Sequence, residues 1–118
     1  MNLLFGLMSE ETRENHTRLH DAQTVGWRYA SGEFWLDAVD IRGKSVRLHV
    51  SHVKAVSTWI TVEIVFDLEL SDFQEALHRD EFGYGEEGDR ILEVTFSTAG
   101  LMRLLIGSDS KIEISVVE

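Results

Sequence analysis

Residues 60–70 read Ile60-Thr61-Val62-Glu63-Ile64-Val65-Phe66-Asp67-Leu68-Glu69-Leu70, with Ile60, Val62, Ile64, Phe66, Leu68 and Leu70 at six consecutive even positions. Thr61, Glu63, Asp67 and Glu69 stand among the odd ones. Side chains alternate between the two faces of a strand, so this period of two predicts one long strand with its apolar set inward. Ile64 and Phe66 are then expected to be buried, and Glu63 and Asp67 exposed. One-sided alternation belongs to antiparallel sheet with a solvated face, because parallel strands are covered on both faces and read as continuous apolar runs.

The same grammar extends to either side. Val25, Trp27 and Tyr29 alternate with Gly26 and Arg28, a turn falls at Ser31-Gly32, and Phe34, Leu36 and Ala38 follow at alternate positions. This is a hairpin pattern, and it places Trp27 in the core. A second turn at Arg42-Gly43 leads into Val46, Leu48 and Val50. On the C-terminal side, Leu92, Val94 and Phe96, then Met102, Leu104 and Ile106, then Ile112, Ile114 and Val116 form a meander. Ser9 to His20 reads as a short polar helix with Ser9 as N-cap, Glu10 and Glu11 at its positive end, and only Leu19 to bury. The apolar run Leu3 to Met8 is expected to anchor it. A second helix of about two turns is expected after Ser71, carrying Phe73, Ala76 and Leu77. The predicted fold is therefore α+β and β-rich, an antiparallel sheet of about six or seven strands in a roll or sandwich, with one or two short helices.

The 118 residues are expected to form a single domain, 1–118. There is no cysteine, which excludes disulfides and thiol chemistry. The N-terminal apolar run is too short for a membrane span and no basic residue precedes it, so a cytoplasmic location is expected. Formal charge is −10, which disfavours nucleic acid and anionic membrane as partners. The carboxylates are concentrated: Glu63, Asp67, Glu69, Asp72, Glu75, Asp80, Glu81, Glu86, Glu87, Asp89 and Glu93 face only Arg79 and Arg90 within one stretch. Ile41 to Val62 contains no carboxylate and carries Arg42, Lys44, Arg47 and Lys54. Such a distribution either keeps a small domain soluble or steers a basic partner to it.

Motifs for chemistry are sparse. Gly83-Tyr84-Gly85-Glu86-Glu87-Gly88 has the letters of a dinucleotide fingerprint, but a strand follows it and its glutamates repel phosphate. His16 and His20 share a helix face at the spacing of two zinc ligands, with Asp21 adjacent, but the glutamate of a metalloprotease motif is absent and a third ligand would have to come from elsewhere. No nucleophile elbow or paired-carboxylate frame is present, so neither catalytic residues nor a cofactor or metal is assigned. The glycine-rich acidic loop, with Asp80, Glu81, Phe82, Tyr84, Glu86, Glu87 and Asp89, is expected to be a mobile docking arm. Trp35 stands opposite in phase to Phe34 and Leu36, which puts its indole on the outer face as a candidate interface anchor, unless the N-terminal segment covers it.

Leu19-His20-Asp21-Ala22, the strand-turn-strand unit with Trp27, the Gly43 turn and the meander from Ile91 to Val117 resemble small immunity proteins of bacterial polymorphic-toxin systems. That resemblance implies a noncatalytic inhibitor that masks a cognate basic toxin, with His20 and Asp21 structural at the start of the first strand. Two other readings stay open: a homodimeric scaffold module, and a small-ligand-binding protein or enzyme whose site is assembled from distant residues.

Overall fold

The computed structural model describes residues 4–59, 64–72, 82, 86–97 and 100–117. Two helices, α1 (Leu4–Leu7) and α2 (Glu10–Leu19), precede β1 (Gln23–Ala30), β2 (Glu33–Val39), β3 (Ser45–Val50), β4 (Val53–Trp59), β5 (Val65–Asp72), β6 (Arg90–Phe96), β7 (Leu101–Ile106) and β8 (Ile112–Val117). The described strands form two antiparallel four-stranded sheets, ordered β1-β2-β3-β8 and β4-β7-β6-β5. The fold is thus α+β and β-rich, as the alternation predicts, but with eight strands in two sheets in place of six or seven in one.

Phe34, Leu36, Ala38, Val46, Leu48, Val50, Ile112 and Ile114 of the first sheet share one core with Val53, Val65, Leu68, Leu70, Leu92, Val94, Phe96, Met102, Leu104 and Ile106 of the second. Leu4, Met8 and Leu19 join it, so the N-terminal apolar run does anchor the polar helix. No helix of the described residues is long and apolar enough to cross a membrane.

The extra strand is β4, which precedes the stretch that decided the fold class; a register shift between Val53 and Ala55 interrupts its alternation. β4 ends at Trp59 opposite Leu101, β5 begins at Val65 opposite Phe96, and the two lie at opposite edges of the second sheet. Alternation reports which face a side chain takes, and it carries no mark of where a strand changes its partner. Ile60, Val62 and Glu63 lie outside the described residues, as does the side chain of Phe66. At the start of β5 the expected register is corrected: Ile64, just before it, is 40% exposed and Val65 is buried, while Leu68 and Leu70 are buried as expected. A bulge between Val65 and Asp67 inserts one residue, which inverts the parity of Ile64 and Val65. Asp67 is exposed, as expected. Ser71 continues β5 to Asp72 and does not cap a helix there; the helix expected at Phe73, Ala76 and Leu77 lies outside the described residues.

Side chains of α2 close one edge of the first sheet. Ser9 accepts a hydrogen bond from the Thr12 N–H at 3.2 Å and thereby caps the helix. One turn on, the Ile114 N–H of β8 donates to Thr12 Oγ1 at 3.3 Å, and Asn15 Nδ2 donates to the Ile114 carbonyl at 3.0 Å. Both backbone groups that β8 turns outward at Ile114 are satisfied by the helix, which protects that edge from pairing with another chain. At the other end of α2, Asp40 accepts from the Arg42 and Lys44 N–H groups at 2.9 and 2.8 Å and lies 3.5 Å from Arg18. Chiefly through the Lys44 N–H, its carboxyl is held below the ordinary range. Arg18 therefore joins the β2–β3 turn and not its own helix neighbour Glu14.

Candidate protein-binding surface

Trp35 lies on the outer face of the first sheet, half-buried, and the N-terminal helices pack elsewhere, on β8, β3 and β5. The pairing Arg28↔Trp35, Trp35↔His49 and His49↔Glu113 sets four side chains in one row across β1, β2, β3 and β8. The Arg28 guanidinium sits 4.4 Å over the indole, and the His49 ring stacks on it at 5.5 Å and 19°. His49 is flanked by Glu33 at 3.4 Å and Glu113 at 3.9 Å. In the next row Arg47 grips Asp37 with two bonds of 2.7 and 3.3 Å. Gly26, opposite Asp37, leaves a shallow groove of about 300 Å³ beside Arg28, Trp35 and Arg47.

The strongest exposed apolar feature is on β1, and it corrects an expectation. Trp27 is not core: Val25 is 62% exposed, Trp27 41% and Tyr29 39%. Trp27 and Tyr29 do register with the buried Leu36 and Phe34, so they belong to the inner face. β1 is nevertheless the outermost strand, and that face is left incompletely covered there. Trp27 touches the core through Phe34, ring centres 6.1 Å apart, and the Tyr29 hydroxyl donates to the Val53 carbonyl at 3.0 Å. Ile64 adds a fourth exposed apolar side chain beside the start of β1 through its bridge to Gln23.

Which backbone groups β1 turns outward follows from α2. Ile114 spends its N–H and carbonyl on the helix, so in antiparallel alternation it is a non-hydrogen-bonded partner of Leu48; Leu48 then bonds Leu36, and Leu36 has nothing left for Trp27. The hairpin gives the same parity. Ser31 and Gly32, with φ of 52° and 78°, form a two-residue turn closed by Ala30↔Glu33, which leaves Tyr29 and Trp27 outward. Their N–H and carbonyl groups therefore line the free side of the strand. Beyond the Gln23↔Ile64 bridge, no described strand pairs with that side. Gly26 inside the strand pattern was the available sign of an edge with a bulge, and the register does shift between Thr24 and Gly26.

The acidic loop is placed differently from the expectation. Asp80, Glu81 and Tyr84 lie outside the described residues. Phe82 is half-buried against Ile91, Leu105 and Ala55 on the outer face of the second sheet, so it is packed and not free to dock. Asp89 is buried: it takes Lys54 Nζ at 2.9 and 3.0 Å and the Glu86 N–H at 2.9 Å, and its own N–H donates to the Glu86 carbonyl. This knot, closed by Gly88 at φ 88°, is structural, and the Asp89 carboxylate raises the Lys54 pKa with help from Glu86. Glu86, Glu87, Asp67 and Glu69 remain exposed.

Other candidates are as follows. His16 is half-buried on α2 and its pKa is pushed down by that burial. Among the described residues no group of three His, Cys, Asp or Glu side chains could hold a metal ion. His52 Nδ1 lies 2.7 Å from Asp109, but the Ser110 hydroxyl donates to the His52 carbonyl and not to its ring. Comparison of the chain with protein-family models, with curated proteins and with solved structures finds no match.

Proposed function

We propose that the chain is a noncatalytic protein-binding domain that docks through the free edge of β1, and that it acts as an immunity-type inhibitor of a basic toxin. The observation that carries this is the outer side of β1, which beyond the Gln23↔Ile64 bridge pairs with no strand among the described residues, with Val25, Trp27 and Tyr29 exposed, in a sheet whose other edge is closed by α2. An open edge supplies backbone hydrogen bonds for affinity and alternate side chains for choice, and aromatic anchors dominate interface energetics. The exposed carboxylates Asp67, Glu69, Glu86 and Glu87 then act at longer range, raising the rate of encounter with a cationic partner.

The test is kinetic, against the product of the adjacent gene. The on-rate is expected to fall as salt shortens the Debye length from about 30 Å at 0.01 M to about 10 Å at 0.1 M. Glu87→Lys lowers the on-rate further, whereas Val25→Lys raises the off-rate. No binding, or binding that both variants leave unchanged, refutes the reading.

A further inference from the structure

We propose that, in the free protein, the edge of β1 is occupied by β1 of a second copy, the two strands pairing antiparallel about a two-fold axis through Trp27. The inference rests on β1 being the binding edge and adds its occupant.

A two-fold normal to the sheet keeps inner faces inner, so the possible registers are those centred on one residue. Centred on Trp27, the pairing sets Trp27 against Trp27, Val25 against Tyr29 and Gly26 against Arg28. Trp27 exchanges its outward N–H and carbonyl with its copy, as the parity of the sheet requires. Trp27 and Tyr29 of each copy, which share the inner face, then fall in one strip, with the exposed Val25 of the bulge at either end. The neighbouring registers are worse. Centred on Arg28, the pairing opposes two guanidinium groups directly, which like-charge pairs disfavour. Centred on Gly26, it asks Tyr29 to pair with Gln23, which is already bridged to Ile64.

Charge agrees with self-pairing. The chain carries a formal −10, yet Arg28 is the one charged residue of β1, so two copies meet along a strand free of carboxylates. In the Trp27-centred register each Arg28 faces the open space above the other copy's Gly26, where a Cβ would find nothing within 4 Å. The contact spans only residues 25–29 of each copy. A standard interface engages roughly 20–30 residues a side, so a contact this short is expected to be a weak dimer.

Sedimentation of the full chain from about 1 μM to about 1 mM is the experiment, spanning the range of weak association. The mass should rise from 13.5 kDa toward twice that value. Val25→Lys, at a position already 62% exposed, should weaken the dimer at least tenfold without lowering the melting temperature of dilute protein. Position 26 reads the register. Gly26→Glu places a carboxylate opposite the partner copy's Arg28 twice over and should tighten the dimer about 2- to 30-fold, while Gly26→Lys loosens it by a similar factor. Position 26 lies beside Asp37, Arg28 and Arg47 of its own copy, so the melting temperature of dilute protein is measured for both variants to separate altered folding from altered pairing. A chain monomeric throughout, a dimer indifferent to Val25→Lys, or shifts of the same sign from Glu and Lys at position 26 would overturn the proposal. A monomer whose capture of the adjacent-gene product is lost on Val25→Lys overturns the dimer alone. A monomer whose capture survives that change overturns the binding edge as well.

Discussion

Replacing Asp89 separates a buried, structural carboxylate from an exposed one. Its side chain is 4% exposed and accepts two contacts from Lys54 and one from the Glu86 N–H. A hydrogen bond to a charged group contributes about 1.5–3 kcal/mol and a neutral one about 1. Lys54 is about one-third exposed, so water recovers part of its share when the partner is removed. Asp89→Ala should therefore cost about 2–3 kcal/mol, and Asp89→Lys, which buries a second cation against Lys54, about 3–5. For a chain of this size 1 kcal/mol moves the melting temperature by about 4 °C, so the alanine variant should melt about 8–12 °C lower. Glu87→Lys, two residues away and exposed, should stay within about 0.5 kcal/mol of the parent. Circular-dichroism melts at pH 7 decide it. An alanine variant melting within 2 °C of the parent, or a Glu87 variant falling as far as it does, would refute the assignment of Asp89 to the fold.

Thr12→Val removes the acceptor of the Ile114 N–H and should cost about 1–3 kcal/mol, with faster amide exchange confined to β8 and the start of α2; protection of Ile114 that survives the change would contradict the closed edge. Val65→Ala should cost about 2 kcal/mol and Ile64→Ala less than about 1, measured by denaturant midpoints at equal slope; the opposite ranking would restore the unbroken alternation. The Asp40 carboxyl, depressed chiefly by the Lys44 N–H, contributes stability that is present above its unfolded value of 3.8 and lost as pH falls through the lower folded value. Asp109, depressed by its bond to His52, acts in the same direction. Melting temperature should accordingly drop below about pH 4, and Asp40→Asn should flatten that drop.

Much of the architecture was legible without coordinates, because it depends on local rules. Period-two alternation placed Phe34, Leu36, Val46, Leu48, Leu92, Val94, Leu104 and Ile114 in the core, since a strand has only two faces. Ser9 and the acids after it marked the start of α2, since the unpaired N–H groups of a helix end need an acceptor within a residue or two. Ser31-Gly32 and Gly43 marked turns, since few residues accept positive φ. Tertiary structure decided what depends on residues far apart in the chain. Whether an inward-facing side chain is buried requires an opposite sheet above it, and Trp27 and Tyr29 lack full cover because β1 is outermost, a fact of strand order and not of strand sequence. Whether a carboxylate is free requires knowing which cation folds beside it, and Lys54, 35 positions away, claims Asp89. The bulge at Val65 arises where β5 must meet both β6 and the bridge to Gln23, so the parity of Ile64 was set by two distant partners at once. The apolar pattern alone stated that Trp27 faces inward; only the assembled sheet, in which β1 is the outermost strand, left that side chain 41% exposed.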